Sequence, residues 1–209
     1  MKHQGKRAQG SGTLEKNWPG NLMFGLLYPA VLGTFFYSLL PEMLQCLREP
    51  LHVDLPQGTK LGLSFLLIVH FLVDFYFTQQ VALETKRYYP AGTFALDLCV
   101  VLALFVAYDT IHLDDRSEPE IRWAAGAMFF AYVLFRIWGR QMESAIGKRL
   151  ALRYYEIGSA AAFLLIALFW PKAYAFAVAL LGSTLLMWFI GGPIVLEFHH
   201  SQTKSTRQT

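Results

Sequence analysis

Apolar residues in this chain are gathered into six runs, covering 22–40, 61–78, 93–111, 121–138, 155–170 and 173–198. A helix needs about 20 mostly apolar residues to cross about 30 Å of hydrocarbon, and each run meets or approaches that length. None alternates with period two, which argues against a transmembrane barrel. The pattern predicts an all-α, polytopic integral membrane bundle of six transmembrane helices. Only Pro171 and Lys172 separate the fifth run from the sixth, so those two should form a tight helical hairpin. Trp170 and Tyr174 flank that turn. Trp18, Tyr88, Tyr89, Trp123, Trp138, Tyr154 and Tyr155 also fall at predicted span ends, where an amphipathic ring sits between lipid and water.

The remaining segments are polar. Residues 1–20 form a basic tail without the apolar centre of a signal peptide. Residues 199–209 form a second polar tail, so the domain organisation is tail, membrane domain over 21–198, tail. Composition agrees with this division. The 209 residues are 55% hydrophobic and 16% charged, against about 25% charged in a soluble chain. That balance argues against a soluble globular domain and rules out a disordered one.

Lys and Arg are retained on the cytoplasmic side of a membrane. With six spans, one side holds both tails, the second loop and the fourth loop, and it carries thirteen of the 18 basic residues. The other side carries Arg48, Lys60, Arg116, Arg122 and Lys172. The bias places both termini in the cytoplasm. The third loop, with Asp109, Asp114, Asp115, Glu118 and Glu120, is acidic and falls outside. The net charge of +3 reflects this topology and gives no reason to expect nucleic-acid binding. Cys46 is expected in the first external loop and Cys99 inside the third span, at depths that argue against a disulfide between them.

Ionisable residues inside the spans carry the functional information, because a charge at mid-bilayer costs about 2.5–3.5 kcal/mol on insertion scales. His70 and Asp74 lie four apart on the second run and so share a helix face. Asp97 lies on the third run, and Arg136 on the fourth. If the membrane edge is near Gln79 and Gly92, Asp74 and Asp97 are each about 7 Å deep. They would meet at matched depth on neighbouring antiparallel helices, with Arg136 approaching as an Asp–Arg–Asp cluster. Such a cluster can be interhelical glue or a site for an ion, proton or small polar solute. His70 reads either as a satisfied core histidine or as a proton relay. Metal and haem ligation fail on count. His112 belongs to the opposite membrane face, His199 and His200 to the tail, and a closed zinc site needs four suitable ligands. No cofactor or metal is expected.

Other features are secondary. Over 139–155, Met142, Ile146, Leu150 and Tyr154 form an apolar stripe, with Lys148, Arg149 and Arg153 lying off it. This predicts either a helix touching anionic lipid at the inner leaflet or an ordinary basic loop. Gly191, Gly192 and Pro193 should interrupt the sixth span. Small residues in the last hairpin permit close packing or a homo-oligomer contact. The leading expectation is a channel or transporter for a small ion, proton or polar solute, with His70, Asp74, Asp97 and Arg136 on the path. The rivals are a membrane-embedded enzyme acting on a lipid or isoprenoid, with the two aspartates as acid and base, and a non-catalytic membrane subunit or assembly factor.

The charge bias is checked with a reporter active only in the cytoplasm. Fused after Thr209 it should be active, and inserted between Asp114 and Pro119 it should be silent. The reverse pattern would overturn the orientation, and activity at both sites the six-span count.

Overall fold

A computed structural model describes residues 20, 22–48, 55–84, 91–111, 119–146 and 153–206. The structure is all-helical, with no strand among the described residues. A short π-helical segment, Met23–Leu27, leads into α1, Tyr28–Arg48. Then come α2, Leu55–Glu84, α3, Ala91–Asp109, and α4, Ile121–Ile146. The chain ends with α5, Arg153–Phe169, and α6, Ala173–Thr206. Among the described residues, five helical stretches are long and apolar enough to cross a membrane: Met23–Arg48, Leu55–Gln80, Gly92–Asp109, Ile121–Gln141 and Ala173–Ile190. The helix α5 is apolar but has only 17 residues, about 26 Å of rise.

The π turn has a local cause. Pro29 cannot donate a backbone N–H, and its ring crowds the carbonyl four residues earlier, on Gly25. Widening the turn relieves that crowding. The Tyr28 N–H accordingly bonds to the Met23 carbonyl, five residues back, the spacing that defines a π turn.

The helices form a closed ring in the order α1, α2, α6, α5, α4, α3, with α1 returning to α3. Contacts fix their directions. Phe35 on α1 touches Phe71 on α2 and stacks on Phe105 and Tyr108 of α3, while Tyr28, two turns earlier, reaches Asp74. Thus α1 runs antiparallel to α2. His70 meets Thr184, and Tyr76 and Phe77 meet Trp188, so α2 and α6 run parallel. Tyr132 contacts both Tyr155 and Phe163, and Phe163 contacts Phe176. Arg136 meets Glu156, Thr93 meets Gln141, Glu120 bonds to Thr110 and Trp170 meets Tyr174, so α4 runs antiparallel to α3 and α5, α5 runs antiparallel to α6, and the six helices alternate in direction.

Several expectations are corrected in detail. The first helical stretch runs on to Arg48, so Cys46 lies on α1 rather than in a loop. The helix α2 is longer at both ends than the apolar run 61–78. The helix α6 passes through 191–193 without ending and continues to Thr206. Proline is tolerated inside a membrane helix where surrounding groups re-satisfy the freed backbone carbonyl. The most extensive partner of α2 is α6, and its contact with α3 is small. Two residues counted as loop or edge charges are internal: Lys60 is 2% exposed on α2, and Arg136 sits within α4. The basic bias keeps its direction without them, twelve to four. The segment 147–152 lies outside the described residues, and with it Lys148 and Arg149, while Arg153 is described only as the first residue of α5.

Large apolar side chains such as Tyr37, Val178, Phe169 and Phe189 point outward. In water such a surface would drive aggregation, whereas in lipid it is the expected exterior. Trp170 and Tyr174 pack edge to face at 5.6 Å at the α5–α6 turn, both exposed.

Indole exposure provides a check. Trp188 is 54% exposed and Trp138 is 5% exposed. In single-tryptophan variants reconstituted with acyl-brominated lipid, Trp188 emission should be strongly quenched and Trp138 emission little changed. Equal quenching would mean that the ring of helices is assembled differently.

Candidate functional site

The polar interior separates into a hydrogen-bonded chain centred on His70, an ion pair between α4 and α5, and a carboxyl pair between α2 and α3.

The first is fully directional. The Thr184 hydroxyl donates to the Leu180 carbonyl at 2.7 Å. Its oxygen is therefore left to accept, and His70 Nδ1, 2.8 Å away, must carry the proton. The neutral ring then presents Nε2 as an acceptor, and the Tyr132 hydroxyl lies 3.3 Å from it. Tyr155 donates in turn to the Tyr132 oxygen at 3.1 Å. One chain of donors thus runs from α5 through α4 and α2 to a carbonyl of α6. His70 is completely buried, and both its ring nitrogens are engaged, as the satisfied-core expectation requires.

The second cluster redirects Arg136. Its Nη1 lies 3.3 Å from Glu156 Oε2, with the two side chains 17% and 5% exposed. Gly139 permits this approach. An added Cβ there would sit 3.0 Å from Glu156 Oε1 and 3.7 Å from Arg136 Nη1. The expected Asp–Arg–Asp cluster is not formed, because α5 brings a carboxylate to the guanidinium first. Glu156, although near the end of its helix, is 4% exposed.

The third cluster brings two of the expected residues together. Asp74 is 2% exposed and Asp97 is completely buried, and they are close enough for their charges to repel. Tyr28 from α1 donates to Asp74 Oδ2 at 3.4 Å, and Thr78, one turn along α2, donates to Oδ1 at 3.3 Å. Asp97 has neither. Both of its carboxyl oxygens are buried without a hydrogen-bond partner, and so is the Trp138 indole nitrogen. The Trp138 N–H is near the Asp97 carboxyl but falls short of hydrogen-bond geometry. Thr93, one turn before Asp97, is tied instead to Gln141 at 3.2 Å.

His70 and Asp74 share a face of α2, as their spacing predicts, yet they reach different neighbours. Four residues advance a helix by about 400°, so the two side chains diverge by about 40°. On a helix packed between α1 and α6 that divergence is enough to send His70 toward α4 and α6 and Asp74 toward α1 and α3.

Tyr28, Tyr132, Tyr155, Trp138, Thr184 and Glu156 also belong to these clusters. The positions of Tyr155 and Trp138 near span ends predict interfacial aromatics, yet both side chains are buried. Tyr28 carried one signal in the sequence, the proline that follows it. A separate groove of about 310 Å³ opens on the outside between α3 and α4. Its lining is Cys99, Leu102, Ala103, Val106, Ala127 and Phe130, so neither aspartate faces it. Among the described residues, no three His, Cys, Asp or Glu side chains converge to hold a metal ion. Compared with protein-family models, curated proteins and solved structures, the chain matches none of them.

A double-mutant cycle tests the redirected ion pair. Arg136→Gln and Glu156→Gln should each lower thermal stability in detergent by about 1–2 kcal/mol, and the double variant by little more than the worse single. Arg136→Gln combined with Asp97→Asn should show no such coupling. Coupling to Asp97 and additivity with Glu156 would restore the Asp–Arg–Asp arrangement.

Proposed function

We propose that this multi-pass membrane protein moves a proton or another small cation, and that Asp74 and Asp97 hold it within the membrane. The supporting observation is the Asp97 carboxyl, completely buried beside a second carboxyl with neither oxygen hydrogen-bonded. Interhelical glue in this protein has a different character. In the His70 chain every donor finds an acceptor, and Arg136 finds Glu156. A buried polar group left unpaired costs about 1–3 kcal/mol, and more if charged, so an unpaired carboxyl is a poor brace between helices. An ion that comes and goes accounts for it.

In this reading all six helices cross the bilayer, α5 included, since it alternates in direction with its neighbours and is short by only a turn. The membrane domain covers 21–198 between two polar tails. The basic bias sets both tails and the α2–α3 connection in the cytoplasm. Asp97, five residues from Gly92, is then about 7 Å from the cytoplasmic face. His70 lies one turn deeper on α2 and Arg136 flanks the pair on α4, so both border the path while being held by their own partners. The sequence sets the basic residues Lys148, Arg149 and Arg153 on the same side, where their charge suits anionic headgroups.

Purified protein in liposomes under imposed proton, sodium or potassium gradients tests this reading. The unmodified protein should carry a flux above empty vesicles. Asp74→Asn and Asp97→Asn should each reduce it by about tenfold or more, as expected for a carboxylate on an intramembrane path, with folded yield maintained. No flux under any of the three gradients would overturn the transport reading.

A further inference from the structure

We infer that the ion exchanged at this site is the proton, and that Asp97 rather than Asp74 carries it. The inference rests on the transport reading above and concerns what is carried.

The hydroxyls beside the pair turn their protons toward it, and few oxygens remain to surround a metal ion. A bound hard cation such as calcium collects six to eight oxygens. Around Asp97 the structure places the Asp74 carboxyl on α2, the Tyr28 hydroxyl on α1, and the Trp138 indole on α4. The indole nitrogen only donates and cannot bind a cation. The hydroxyl protons of Tyr28 and Thr78 are both directed at Asp74. No third acidic, histidine or cysteine side chain of the described residues joins them to complete a metal shell.

The same directions divide the pair. Asp74 accepts two hydroxyl protons and is supported as a carboxylate, because hydrogen bonds to the charged form favour that form. Asp97 accepts none. The guanidinium on α4, Arg136, is engaged by Glu156. Two adjacent carboxylates with no cation between them are not both ionised at rest in a dry site, so one holds a proton between exchanges, and the member without donors is Asp97.

The Trp138 N–H completes the exchange. It stands beside Asp97 without bonding to it, and a small rotation would let it donate. With the proton on Asp97 the carboxyl is neutral and needs no donor. When the proton leaves toward the nearer face, the oxygen left charged can take the Trp138 N–H in its place. One proton is added and one removed per cycle at a single carboxyl oxygen, with no other bond made or broken.

Dicyclohexylcarbodiimide, which enters apolar sites and reacts with protonated carboxyl groups, tests the assignment without depending on flux. The unmodified protein in lipid should be labelled at Asp97, read by peptide mass spectrometry. Labelling should fall as pH rises and should be unaffected by saturating sodium, potassium or calcium. Asp97→Glu should keep the label and Asp97→Asn should lose it. Labelling of Asp74 in preference to Asp97 would overturn the assignment, as would absence of label at every pH. Protection by any of the three metal ions would overturn the proton as the carried ion while leaving transport standing. Label at Asp97 in a protein that carries no flux supports the proton site and leaves the transport reading to fall alone.

Discussion

The hydrogen bond between His70 and Thr184 determines the directions of the whole interior chain. Because Thr184 spends its own proton on the Leu180 carbonyl, it can only accept from His70. The histidine is thereby held neutral in one tautomer, and Tyr132 and Tyr155 must both donate toward it. In hydrocarbon no water repairs a mismatched donor. Any other tautomer would therefore leave two buried groups facing without a proton between them. This requirement brings α2, α4, α5 and α6 into one register, and the rest of the ring is built around it.

The other side of the ring is held by rings rather than by hydrogen bonds. Phe35 is wedged between Phe71, Phe105 and Tyr108, and Tyr28 packs on Phe24, Phe71 and Phe75. Aromatic pairs add about 0.5–1.5 kcal/mol each beyond their area, and in lipid, where burial of apolar surface drives little, that packing term gains weight. The polar edge of this stack is the Tyr28 hydroxyl. The π turn before Pro29 therefore bears on the site, since it helps set the rotation at which Tyr28 meets Asp74. The carboxyl pair lies at the junction between the aromatic half of the bundle and the hydrogen-bonded half, where neither packing scheme supplies it with partners for Asp97.

The helices and their approximate bounds were legible in the sequence, because apolar run length answers to bilayer thickness, a constant outside the protein. The pairing of Asp74 with Asp97 was legible too, since depth follows from counting residues along each run. What counting cannot supply is rotation about the helix axis. Arg136 has the right depth to reach the aspartates, and only the rotation of α4 against α5 turns it to Glu156. Trp138 and Tyr155 turn inward for the same reason. Their position near span ends is shared by interfacial aromatics, and inward or outward facing is a matter of rotation. Rotation also decides which neighbour α2 packs against most. Chain proximity made α3 the default partner, but the His70 chain and the Tyr76, Phe77 and Trp188 contacts draw α2 to α6.

That redirected ion pair changes the character of the site. Had Arg136 bridged the two aspartates, the cluster would hold two negative charges against one positive and would resemble the interhelical salt links that membrane proteins use as braces. With Arg136 neutralised by Glu156, the carboxyl pair must balance its charge within itself or by a visiting cation. Asp74 has two hydroxyl donors for its share, at contacts of 3.3 and 3.4 Å that are long for a carboxylate. Such donors steady a charge without holding it rigidly. Asp97 has only an indole N–H that stops short of it. A site meant to bind an ion permanently would have a full, tight shell, and a structural brace would have a fixed counter-charge. Loose donors on one carboxyl and none on the other suit a group that alternates between two charge states, since neither state is then stabilised so far that the exchange is blocked.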